Sequence, residues 1–171
     1  MQSMAQASWW TRATAFLRPR EEESRTGSPD DTPTAKLRLV IDTNIFVAAV
    51  RSPDSASRQL LDAVADGKAT LLVSPAVFRE YRRILPKAVQ SHERDEIIRQ
   101  WISLAEPVDA GRGPRVVSDD PDDDKFIALA LQGQADAIVS NDEHLLGLKK
   151  KIDVPVWRPG DAVERLNSSM R

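Results

Sequence analysis

Four carboxylates stand where a folded domain could use them together. They are Asp42 in Leu39-Val40-Ile41-Asp42-Thr43-Asn44, Glu80 in Ser74-Pro75-Ala76-Val77-Phe78-Arg79-Glu80-Tyr81, Asp124 in Asp122-Asp123-Asp124-Lys125-Phe126, and Asp142 in Ile138-Val139-Ser140-Asn141-Asp142. A buried carboxylate without a counter-charge is very costly. Several brought together also repel one another. A hard divalent cation with oxygen ligands, Mg²⁺ or Mn²⁺, resolves both conflicts. An acidic site of that kind most often acts on phosphodiesters.

Each acid also has a plainer use. Asp42 and Asp142 each follow an apolar stretch and could simply cap the next helix. Glu80 could pair with Arg79 or Arg83 at helical spacing. It lies, however, on the edge of an apolar face made by Val77, Tyr81, Ile84 and Leu85, while the arginines lie mostly away from that face. The acidic run needs sorting. Asp119, Asp120 and Asp122 read as loop and cap residues. Asp124 precedes Phe126-Ile127-Ala128-Leu129-Ala130-Leu131, a helix apolar almost all round and therefore buried. A carboxylate in the first turn of that helix is favoured by the helix dipole; Asp123 is its rival. A calcium-loop reading fails, because the run lacks the central Gly and terminal Glu of an EF-hand.

Other chemistries find little support. There is no Gly-rich phosphate loop and no Gly-x-Ser-x-Gly elbow. His92 and His144 are the only histidines, and neither has metal-ligand spacing. Cysteine is absent, which excludes disulfides, a thiol nucleophile and thiolate-bound zinc. It also fits a reducing compartment, and a cytoplasmic location is expected. No run of about 18 apolar residues exists, so no membrane span is expected. The formal net charge of -2 gives no global attraction to nucleic acid. RNA contact would need local basic groups, with Arg79, Arg83 and Lys125 as the candidates, or a metal bridging to phosphate.

The elements that must position these acids begin at Leu37. Residues 1–35 are expected to be a disordered extension, because Arg18 to Thr34 is rich in Pro, Ser and charge. Trp9, Trp10, Phe16 and Leu17 are its apolar exceptions. Residues 36–167 are expected to form one domain, with 168–171 a short tail. Within the domain the pattern predicts strands at Leu37–Ile41, Ala69–Val73, Pro107–Asp109, Ala137–Ser140 and Val154–Trp157. It predicts helices at Asn44–Val50, at Ser55–Asp66 ended by Gly67, and from Ser74 to just before Pro86. Further helices are expected at Ser91–Ala105, Pro121–Gln132, Glu143–Leu146 and Pro159–Leu166. Strands alternating with helices imply an α/β sandwich around a parallel sheet. In such sheets ligands bind beyond the carboxyl ends of the strands, where Asp42 and Asp142 fall.

Taken in order, Asp42-Thr43-Asn44 after a strand, Ser74-Pro75 followed by Glu80-Tyr81, Asp120-Pro121-Asp122-Asp123-Asp124-Lys125-Phe126, and Val139-Ser140-Asn141-Asp142-Glu143-His144-Leu145-Leu146 resemble the PIN-domain nucleases, in the branch that includes toxins of toxin–antitoxin modules. The resemblance implies a three-layer α/β/α sandwich with a five-stranded parallel sheet of order 3-2-1-4-5. It implies a Mg²⁺- or Mn²⁺-dependent endoribonuclease cutting single-stranded RNA, with an antitoxin protein and a second copy of the chain as possible partners. Asp42, Glu80, Asp124 and Asp142 would then be the catalytic and metal-binding acids, with Asn44 and Ser140 as polar helpers. A PIN fold that holds RNA or a protein without cutting is the alternative. An aspartyl-phosphate enzyme is disfavoured, because it would need an Asp where Asn44 stands.

Overall fold

The computed structural model describes residues 36–111, 122–148 and 151–169. The expected extension 1–35, the acids Asp119 and Asp120, and Pro121 lie outside these residues.

The chain alternates strands and helices. They are β1 (Leu37–Ile41), α1 (Thr43–Arg51), α2 (Ala56–Ala65), β2 (Ala69–Val73), α3 (Pro75–Val89), α4 (His92–Ser103), β3 (Glu106–Pro107), α5 (Asp124–Gln132), β4 (Ala137–Val139), α6 (Glu143–Gly147), β5 (Val156–Trp157) and α7 (Pro159–Ser169). The strands form one parallel sheet of order β3-β2-β1-β4-β5. Helices cover both faces, giving the expected three-layer α/β/α sandwich. β1 lies at the centre, so its residues Leu39, Val40 and Ile41 are buried on both sides. A continuous apolar run is what such a strand requires.

Local signals in the sequence explain most boundaries. Ser74 accepts a hydrogen bond from the Val77 N–H at 3.3 Å, and Pro75 occupies the first helical position. At the end of α2, Gly67 takes φ +71. Its N–H reaches Val64 O at 3.0 Å while Lys68 N–H reaches Ala63 O at 2.9 Å, a Schellman closure that needs a left-handed residue.

Several boundaries depart from expectation. The helix α3 runs through Pro86 to Val89 rather than stopping before the proline. Proline removes one helical hydrogen bond. The apolar face nevertheless continues across it, with Tyr81, Leu85 and Val89 all buried at four-residue spacing, and that packing holds the helix on. β3 sits at Glu106–Pro107, earlier than Pro107–Asp109, because register with Leu72 and Val73 decides which residues pair. β5 is confined to Val156–Trp157, the two residues that reach β4. Finally, α5 starts at Asp124 rather than Pro121, and α7 continues to Ser169.

Tyr81 ties α3 to the site-bearing strand. Its hydroxyl donates to the Ile41 carbonyl, one residue before Asp42, and its ring packs 4.9 Å from Phe46. Burial, with the charges of Asp42 and Glu80, holds the phenol well above its ordinary pKa, so it stays protonated and donates. Tyr81→Phe keeps the ring and removes the donor. It is expected to lower stability by about 1–3 kcal/mol, the usual cost of stranding a buried acceptor. A denaturant midpoint measurement checks this; an unchanged midpoint would show that the carbonyl needs no donor.

Candidate active site

Asp42 is the first residue beyond β1, at the carboxyl end of the sheet's central strand. It is 5% exposed. Its backbone N–H bonds Val139 O at 3.0 Å, which joins it to β4. Its Oδ2 accepts the Ser140 hydroxyl at 2.7 Å, and Oδ1 faces the Asn44 N–H at 3.5 Å. The second contact is long for a hydrogen bond, so Asp42 caps α1 only weakly. The Asn44 side chain lies at an exposed position, and its contact with the site is through its backbone.

Ser140 is fully buried and links two of the acids. While donating to Asp42 it accepts the Asp142 N–H at 2.9 Å. Asp142 in turn accepts the His144 N–H at 2.8 Å and so caps α6. The plainer reading of Asp142 therefore holds for one oxygen, while its charge still acts on Asp42.

Glu80 does not pair with Arg79 or Arg83, both of which lie exposed on α3. Its Oε1 accepts the hydroxyl of Thr43 at 2.6 Å, and its Oε2 forms an ion pair with Lys125. Thr43 is 2% exposed. Sequence reading missed it as a positioning residue, although its place beside Asp42 was the available signal. Lys125, expected as an RNA contact, lies inside the acidic cluster with its side chain 17% exposed.

Asp124 lies in the first turn of α5, as expected, and Asp123 precedes it without capping the helix by its side chain. The Asp124 Oδ1 is buried and accepts no hydrogen bond. Lys125, the next residue, reaches Glu80 and so brings this end of α5 to that acid.

The electrostatics follow from this placement. Burial pushes the Asp42 carboxyl above its ordinary range, and the charges of Glu80 and Asp142 push the same way. The Ser140 hydroxyl and the Asn44 N–H pull it back. Among the described residues, no three His, Cys, Asp or Glu side chains gather at common metal-ligand distance. Glu80 is turned to Thr43 and Lys125, and Asp142 to its helix cap. The donor chemistry still suits a hard cation. All four side chains offer oxygen, Asp124 has an orphaned buried oxygen, and Asp42 is desolvated beside two like charges.

Comparison with known proteins agrees with this architecture. The family model described as PIN domain matches residues 38–144, which spans the stretch from β1 to the start of α6. An uncharacterized protein of Methanocaldococcus jannaschii is 28% identical over 119 residues, covering 67% of this chain and 76% of that protein. Among solved structures, the crystal structure of VapBC2 from Rickettsia felis bound to a DNA fragment from their promoter aligns with TM-score 0.53 and 16% identity. It covers 71% of this chain and 98% of the matched chain. At that identity the likeness speaks for the fold.

Proposed function

This chain belongs to the PIN domain family, and on that premise we propose that it is a divalent-metal-dependent endoribonuclease cleaving single-stranded RNA. The observation that carries the reading is Asp42. It is a desolvated carboxylate at the end of the central strand, within electrostatic reach of Glu80 and Asp142. Asp124, the residue before the Lys125 that pairs with Glu80, adds a buried carboxylate oxygen with no hydrogen-bond partner. Asp42, Glu80, Asp124 and Asp142 would hold Mg²⁺ or Mn²⁺. When bound, the cation would make water a stronger nucleophile at neutral pH and neutralise charge developing on the phosphate.

The chain's own residues do the positioning. Ser140 fixes the Asp42 carboxylate and the Asp142 backbone together. Thr43 fixes Glu80. Asn44 supplies a backbone N–H to Asp42. Arg79 and Arg83, exposed on the helix that carries Glu80, would meet the RNA backbone. Phosphate contacts of this kind orient a strand without reading its sequence. Cleavage is expected to leave a 5′-phosphate and a 3′-hydroxyl, and sequencing the cut ends tests this.

The likeness to a VapBC2 structure supports a role as the toxin of a toxin–antitoxin module, with an antitoxin protein as partner; a homodimer is proposed as the working form. The protein would act in the cytoplasm. No helix among the described residues is long and apolar enough to cross a membrane. A small antitoxin gene beside the coding sequence would support the toxin role.

One observation favours a second reading, a PIN fold that holds RNA or a protein without cutting it. Glu80 is neutralised by Lys125 rather than left open. Cleavage of an RNA pool by the purified protein separates the two. Within the acidic run, Asp124→Asn is expected to disable cleavage and Asp120→Asn to reduce it much less. Asp124 opens the buried helix α5 and carries the orphaned oxygen, whereas Asp120 precedes it in the chain. If Asp120 or Asp123 proves the more damaging position, the assignment within the run is displaced by that offset.

A further inference from the structure

Lys125 holds a position that a nuclease reading does not by itself explain. Its ammonium sits on Glu80 Oε2, 3.9 Å from Asp122 Oδ1 and 5.4 Å from the centre of the Phe126 ring. The paired side chains are 17% and 11% exposed. Water therefore screens the pair less than it would on an open surface. The other Glu80 oxygen already accepts the Thr43 hydroxyl, so both oxygens are engaged. These two partners differ in kind. A hydroxyl is neutral, and a carboxylate oxygen can accept it and still bind a cation. An ammonium carries the same sign as an incoming metal ion, so the two repel if both stay on Glu80.

We propose that Lys125 is a built-in counter-ion that closes Glu80 in the metal-free protein, and that a divalent cation engages Glu80 only when the ammonium moves off it. Lys125 is on this view a positioning residue that sets cation affinity. The inference rests on the reading of the acidic cluster as a divalent-cation site. The placement of Lys125 makes the exchange feasible. It is the residue after Asp124, at the first turn of α5, so the released side chain need move only within that turn. The exchange fits the geometry of Glu80, whose two oxygens are taken by Thr43 and Lys125 although its charge still acts on Asp42.

The test is Mn²⁺ binding by calorimetry to the full chain and to two variants, Lys125→Met and Lys125→Arg. Removing the competing charge is expected to tighten Mn²⁺ binding about tenfold in Lys125→Met. That is the factor expected if the open arrangement is a minor state of roughly one part in ten. Lys125→Arg keeps the charge and is expected to bind Mn²⁺ no more tightly than the unaltered protein. A lysine that merely supports the fold would weaken binding in both variants alike. Lys125→Met strands a nearly buried Glu80 and could fail to fold. The unaltered protein therefore supplies a second measurement, the Lys125 Cε resonance during a Mg²⁺ titration, assigned by its absence from Lys125→Arg. It is expected to shift with the midpoint of Mg²⁺ binding. A folded Lys125→Met that binds no tighter, or a Cε resonance that stays fixed while Mg²⁺ binds, would overturn the exchange alone. If none of the three proteins binds either ion, the divalent-cation reading falls and the exchange falls with it.

Discussion

Asp42→Asn is expected to abolish RNA cleavage while leaving the protein folded. The substitution keeps the shape and one acceptor for the Ser140 hydroxyl. It removes the charge at the centre of the cluster. Losing only a group behind a metal ligand costs about 10–100-fold, and losing the ligand's own charge should exceed that. Stability should move in the opposite direction. The folded-state pKa of Asp42 is raised, first by burial and then by Glu80 and Asp142. A carboxyl shifted upward contributes stability that is fully present below its unfolded pKa and is lost as pH rises through the folded value. At neutral pH the ionised Asp42 is therefore a net cost in the metal-free protein. Asp42→Asn is expected to melt at an equal or higher temperature there, with its advantage shrinking as pH falls toward the ordinary Asp value of 3.8. Some of the gain is offset, because with the amide oxygen on Ser140 the NH2 group faces the Asn44 N–H and cannot accept from it. Full activity of Asp42→Asn at saturating Mg²⁺ would sink the metal mechanism. A lower melting temperature across the whole pH range would show that the cap and Ser140 contacts outweigh the relieved charge.

The second large effect is the dependence on divalent ions. In chelator, cleavage of single-stranded RNA should be absent; Mg²⁺ or Mn²⁺ should restore it. Ca²⁺ should bind without supporting turnover. Its longer bonds and looser shell position ligands less strictly and suit a flexible oxygen site. The site should also report binding without any chemistry. A ligand present at 100 times its Kd stabilises a folded protein by about 2.7 kcal/mol. For a domain of this size that raises Tm by roughly 5–15 °C. Relief of repulsion among Asp42, Glu80 and Asp142 is the physical source of that gain. Robust cleavage in chelator would eliminate the mechanism. Melts indifferent to all three ions would show that these carboxylates do not act as one site.

Much of this protein was decided by local sequence. The apolar run of β1 demands burial on both faces, which places it centrally in a parallel sheet. Asp42 follows its run directly and Asp142 follows one after Ser140 and Asn141, so their place beyond the strand ends could be read from the chain. The caps at Ser74 and Gly67 are also local, since each uses a side chain or a φ that neighbouring residues cannot supply. The PIN domain match over residues 38–144 agrees with the family that those motifs resemble.

What the sequence did not determine depends on contacts between distant residues. Periodicity showed Glu80 on the edge of an apolar face, but not whether it would meet Arg83 on its own helix or Lys125 on another. The tertiary structure chose Lys125, because the end of α5 is brought against α3 while Arg79 and Arg83 remain in solvent. Helix α3 passes Pro86 for a related reason. A proline's local cost is fixed by chemistry, but the compensating burial of Leu85 and Val89 exists only once the helix packs. The partition of Asp142 between capping α6 and acting on Asp42 was likewise undecidable from the chain. It depends on Ser140, whose hydroxyl bridges the ends of β1 and β4 only when the two strands lie side by side.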